Sequence, residues 1–79
     1  VSAGQANYLR DLPLHESQQE TERQDLYSIF ELQVRPTFDF QQELLCNGED
    51  MEVLEPYWLR KEIAGKAKRM WNKYKKDTI

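Results

Sequence analysis

Downstream of Pro56 the chain repeats apolar side chains at the spacing of an α-helix. At about 100° per residue, Leu59, Ile63, Ala67, Met70 and Tyr74 fall within an arc of roughly 80°, with Trp71 on its margin. Pro56 suits the first turn of a helix, where a missing N–H costs nothing. The segment predicts one long C-terminal helix whose stripe faces a core. In a chain of 79 residues, that leaves a single small body for the helix to lie on.

The rest divides at its other two prolines. Ser2–Leu12 reads as a short helix closed by Pro13, with Ala3, Ala6, Leu9 and Tyr8 available for one face. Gln18–Gln24 alternates weakly, as an edge strand does, and Arg23-Gln24-Asp25 is a plausible tight turn. Leu26–Val34 is the clearest strand: Phe30, Leu32 and Val34 alternate with Glu31, Gln33 and Arg35, so one face is apolar and one polar. Pro36 ends it. Thr37 then caps a helix carrying Asp39 in its first turn and Phe40, Leu44 and Leu45 along one side. Asn47-Gly48 supplies the left-handed stop often found beyond a helix. Met51–Leu54 reads as a last short strand.

The expected order is therefore helix, strand, strand, helix, strand, helix, an α+β sandwich. One more strand before Val1 would make it βαββαβ, the split βαβ or ferredoxin-like motif, here with an extra long C-terminal helix. On this reading most of the first strand is missing, and in that motif the first strand is interior. Its neighbours are expected to compensate, by re-pairing or by dimerising through an exposed edge. The start at Val1, without a methionine, is read as an internal boundary of a longer protein or a processed end.

Charge is unevenly placed. The net charge is −3, yet residues 60–79 carry +6, from eight basic and two acidic residues, and residues 1–59 carry −9. The basic helix face, Arg60, Lys61, Lys66, Lys68, Arg69 and Lys73, is a candidate contact for nucleic acid or an acidic partner. Its ordinary reading is a solvated outer face, and an isoelectric point near 5.1 favours that. Trp58 lies roughly opposite the stripe and is a candidate protein-interface residue, or packs on the preceding loop.

Other chemistry is thinly represented. A single Cys46 and a single His15 make neither a disulfide nor a soft-metal cluster, so no metal or cofactor is expected and a reducing, cytoplasmic setting is the default. Cys46, beside Leu44 and Leu45, is expected to be a buried packing residue. His15 has no nucleophile or acid at recognisable spacing and reads as a hydrogen-bonded turn residue, so no catalytic residue is assigned. Glu49-Asp50-Met51-Glu52 lacks the spacing of a calcium loop and reads as a solvated turn. No apolar run approaches the ~18 residues of a membrane span, and no signal peptide is visible.

Two blocks match a known family. Leu12-Pro13-Leu14-His15-Glu16-Ser17-Gln18 is similar to the His-x-Ser-Gln segment of the C-terminal extension domain of WYL-domain transcriptional regulators. Phe40–Leu45, Asn47-Gly48, Met51–Pro56, Leu59-Arg60, Ile63 and Tyr74 follow that domain's run of Leu-Leu, Gly, Val-Leu-x-Pro, Leu-Arg and a closing aromatic. The resemblance implies a multidomain bacterial protein, with a DNA-binding winged helix-turn-helix, an effector-sensing WYL domain and this extension. Tyr57-Trp58-Leu59 only superficially resembles the WYL signature, and no effector or DNA residue of those domains has a counterpart here. The resemblance implies a non-catalytic regulatory or oligomerisation domain, with its own WYL domain and a second protomer as partners and DNA reached through the N-terminal domain. An autonomous small-ligand-binding module is the alternative, and an enzyme a distant third.

Overall fold

The computed structural model describes residues 1–78, an α+β arrangement of three helices and one two-stranded antiparallel sheet. Helix α1, Ala3–Asp11, starts where Ser2 Oγ accepts the Gln5 N–H at 3.3 Å. It stops at Leu12, before Pro13. Ala6 and Leu9 are its buried residues, whereas Tyr8 stays outside.

Strands β1, Gln19–Arg23, and β2, Ser28–Glu31, form a hairpin pairing Gln19 with Glu31 and Arg23 with Ser28. The register shifts between Glu20 and Glu22, leaving Thr21 as the extra residue of a bulge. The turn closes with the Gln24 N–H donating to the Tyr27 carbonyl at 2.8 Å. β2 is shorter than its alternation predicts because β1 begins opposite Glu31. Beyond it the burial still alternates, with Leu32 and Val34 half-buried and Gln33 exposed.

Helix α2, Phe38–Cys46, starts at Thr37, whose hydroxyl accepts the Phe40 N–H at 3.3 Å, with Asp39 in the first turn. Its end differs from expectation. No described residue has a positive φ, and Asn47 sits at φ −107°. The Asn47 N–H instead reaches the Leu44 and Leu45 carbonyls and its side-chain amide donates to the Glu43 carbonyl at 2.9 Å, so the helix end is satisfied without a left-handed residue.

Met51–Leu54 is not a regular strand. Met51 and Val53 are half-buried and Glu52 and Leu54 exposed, the alternation of a strand, yet no ladder pairs them among the described residues. A pleated segment without a neighbour has no ladder to join. The expected re-pairing of strands is accordingly not seen among the described residues.

Helix α3, Tyr57–Thr78, begins one residue later than predicted, with the Pro56 carbonyl accepting from the Leu59 and Arg60 N–H groups. At 1.5 Å per residue its 22 residues run for about 33 Å. α2 has only nine and packs on its first half. Only the start of the predicted stripe is therefore covered: Leu59 is buried and Ile63 half-buried, but Ala67, Met70, Trp71 and Tyr74 are exposed.

Among the described residues the buried apolar core is Ala6, Leu9 and Leu59, one or two from each of the two flanking helices. Cys46 is exposed, contrary to expectation. It lies about 200° around the helix from Leu44, so adjacency to apolar residues in sequence did not place it on their side.

Candidate functional site

A slot of about 710 Å³ lies between two lengths of chain, Ser28–Val34 and Met51–Leu54. Leu9, Phe40, Leu44 and Leu59 form its floor and Trp58 stands at its rim. Val1 sits in its mouth. The Val1 amino group donates to the Ser28 carbonyl at 2.8 Å, and the Val1 carbonyl accepts the Ser28 N–H at 2.9 Å. From the other wall, the Asp50 carbonyl accepts the Ser2 N–H at 2.8 Å.

A polar cluster fastens α1 to the hairpin beneath this slot. Arg10, in the last turn of α1, donates through Nε (3.0 Å) and Nη2 (2.7 Å) to the two Glu20 carboxylate oxygens, and through Nη1 to Asn7 Oδ1 at 2.7 Å. Nη2 also reaches the Oγ of buried Ser28 at 3.3 Å. A forked guanidinium on a carboxylate is a directional contact. The Arg10 hydrogen bond, and then that from Ser28, lower the Glu20 carboxyl from 4.5 to about 2. A lowered folded pKa means that the stabilisation is complete above about 4.5 and is lost as pH falls toward 2. Urea midpoints should accordingly decline through that window, and less so in Glu20→Gln. Equal pH slopes in the two proteins would remove Glu20 from the cause.

His15 is the turn residue its context predicts. Its Nδ1 accepts the Ser17 N–H at 3.0 Å and lies 2.8 Å from Ser17 Oγ. That hydroxyl accepts the Gln33 N–H at 2.8 Å and lies 3.3 Å from the Gln33 carbonyl. Gln18 works beside it, its amide donating to the Leu9 carbonyl at 2.8 Å and accepting the Leu14 N–H at 3.0 Å. The His-x-Ser-Gln segment thus binds the end of α1 to the continuation of β2.

The basic residues of α3 do not act as one group. Arg60 donates to Glu52 at 2.5 Å and to the Val53 carbonyl at 2.7 Å, holding one wall of the slot. Lys66 is half-buried, donates to Gln41 Oε1 at 2.7 Å and lies 5.6 Å from the centre of the Phe38 ring. Lys61, Lys68, Arg69 and Lys73 are exposed and form no ion pair among the described residues. The last three share the far half of α3 with exposed Met70, Trp71 and Tyr74. Trp58 is 54% exposed, on a different part of the helix.

Sequence reading missed Gln41, the buried amide that joins α2 to α3 through Lys66 and to the Pro36 carbonyl at 3.2 Å. The available signal was its position: three residues before Leu44 and four before Leu45, it falls on the side of α2 that they share with Phe40. It also missed the Arg10–Glu20 pair, ten residues apart on different elements. Among the described residues no group of three or more His, Cys, Asp or Glu side chains could hold a metal ion. No helix among them is long and apolar enough to cross a membrane.

No curated protein and no solved structure matches the chain. The sequence model of the WCX domain matches residues 1–71, from the strand-like start at Val1 through the first two thirds of α3. The chain therefore belongs to the WCX domain family, the C-terminal extension of WYL-domain regulators.

Proposed function

We propose that this domain is a non-catalytic regulatory and oligomerisation unit of a cytoplasmic WYL-type transcriptional regulator, coupling effector sensing in the WYL domain to DNA binding by the N-terminal domain. One observation supports it most: the far half of α3 leaves Met70, Trp71 and Tyr74 in water, on the stripe that its first half buries. A contiguous apolar face with a charged rim is characteristic of a surface that another polypeptide covers. The partners proposed are the protein's own WYL domain and a second protomer, whose residues 1–59 carry −9 against the exposed cations of α3. Ferredoxin-like topology belongs to the same proposal, with β1, β2 and Met51–Leu54 as its second, third and fourth strands.

The double variant Met70→Asp, Trp71→Glu in the intact regulator should weaken self-association at least tenfold, read by size exclusion with light scattering over a dilution series. An unchanged dimer would overturn the reading. The slot supports a second reading, an autonomous ligand-binding module, since about 710 Å³ is the size of a small-molecule site. A ligand that raises the melting temperature of the isolated domain by several degrees would favour it.

A further inference from the structure

We propose that the groove between α1 and α2 receives the tip of α3 from a second copy of the chain, Met70 and Trp71 entering it and Arg69 and Lys73 facing Glu43. This names the surface that a second protomer would offer, and so rests on the oligomerisation reading above. The groove encloses about 510 Å³, with Tyr8, Leu12, Pro13, Leu14 and Phe40 as its apolar walls and Glu43 among the residues that line it. Tyr8 and Leu12 are 69% and 74% exposed, large apolar side chains left in water at its edge. The Glu43 side chain is exposed and forms no ion pair among the described residues. The Gln5 amide donates to Asn47 Oδ1 at 3.2 Å and joins the two helices that form the groove.

Among the described residues the chain's own α3 does not line this groove. Leu59 and Leu44 both line the slot, whereas Lys66, further along α3, bonds Gln41 and lies beside Phe38. α3 therefore runs toward the N-terminal end of α2, and its far half leads away from Glu43 and Asn47. Nor does a second α3 suit that half. Met70 and Trp71 are flanked by exposed Lys68, Arg69 and Lys73, so two such faces would bring like charges together. The tip fits an apolar recess with a carboxylate on it, in a body whose residues 1–59 carry −9. An aromatic side chain seated in a pocket is a common centre of an interface. A knob and a groove on different faces of one chain close into a dimer when the exchange is reciprocal, each copy giving one and receiving one.

The test mixes two variants of the intact regulator, Leu12→Lys in the groove and Trp71→Lys on the tip, both at exposed positions. Each alone should weaken self-association at least tenfold, read by light scattering over a dilution series. In an equimolar mixture the intact tip of the first meets the intact groove of the second, which restores one of the two contacts. The mixture should therefore associate at least tenfold more tightly than either variant alone. A mixture no tighter than its components would overturn the groove as the receptor. Charge exchange probes the same contact without altering its apolar residues: Glu43→Lys should weaken association at least threefold, and Arg69→Glu with Lys73→Glu in the same chain should restore it. Absence of that restoration would overturn the facing of Glu43. Loss of the dimer in Trp71→Lys with Leu12→Lys unaffected would sink the groove and leave the oligomerisation reading standing, whereas a dimer unmoved by Trp71→Lys would sink both.

Discussion

Leu59→Ala is expected to destabilise the domain by roughly 2–3 kcal/mol, at the lower end of the range for buried leucines because the vacated space opens into the slot. Leu59 is 5% exposed and is the only buried apolar residue that α3 contributes among the described residues. A domain of this length has a total stability of roughly 4–12 kcal/mol, so the loss is a large share of it. The melting temperature should fall by roughly 10–20 °C. Met70→Ala, on the exposed part of the same stripe, should change it by no more than about 3 °C in the isolated domain. Similar losses for the two would mean that the stripe is covered along its whole length.

Gln41→Ala should be the next most damaging change, costing roughly 1–3 kcal/mol. The amide is 6% exposed and bonds the Pro36 carbonyl with one end and the Lys66 ammonium with the other. Truncation leaves a half-buried cation and a carbonyl without these partners, and detaches α3 from α2. Gln41→Glu separates the contributions, since it keeps an acceptor for Lys66 and loses the donor to Pro36. Its melting temperature should lie between wild type and Gln41→Ala. A Glu variant as unstable as the Ala variant would show that Lys66 adds nothing.

Local signals were the legible ones. Ser2 and Thr37 start helices because a hydroxyl one turn ahead of orphan N–H groups acts locally, and Pro13 and Pro36 stop elements for reasons within one residue. The second strand was readable from the alternation of Phe30, Leu32 and Val34, although only Phe30 of these lies within β2. The apolar stripe of α3 was also real, but periodicity reports which side chains share a face and not whether anything reaches them. Met70 and Tyr74, further along the helix than Lys66, are more than half exposed. Met51–Leu54 carries a strand's alternation without a strand's bonds because pairing needs a neighbour that periodicity cannot supply. Of the candidate basic residues, Arg60 and Lys66 turned out to be committed within the fold, since Glu52 and Gln41 are brought to them only by the tertiary path of the chain.

The attachment of α3 also makes it a lever. Lys66 bonds Gln41 of α2, and twelve more residues follow it to Thr78, roughly 18 Å of helix. Tilting the helix by roughly 10° at that fulcrum sweeps the tip through roughly 3 Å, enough to carry an aromatic side chain out of one packing position and into the next. A small rearrangement around Gln41 is thereby magnified where Trp71 and Tyr74 would meet another protein surface.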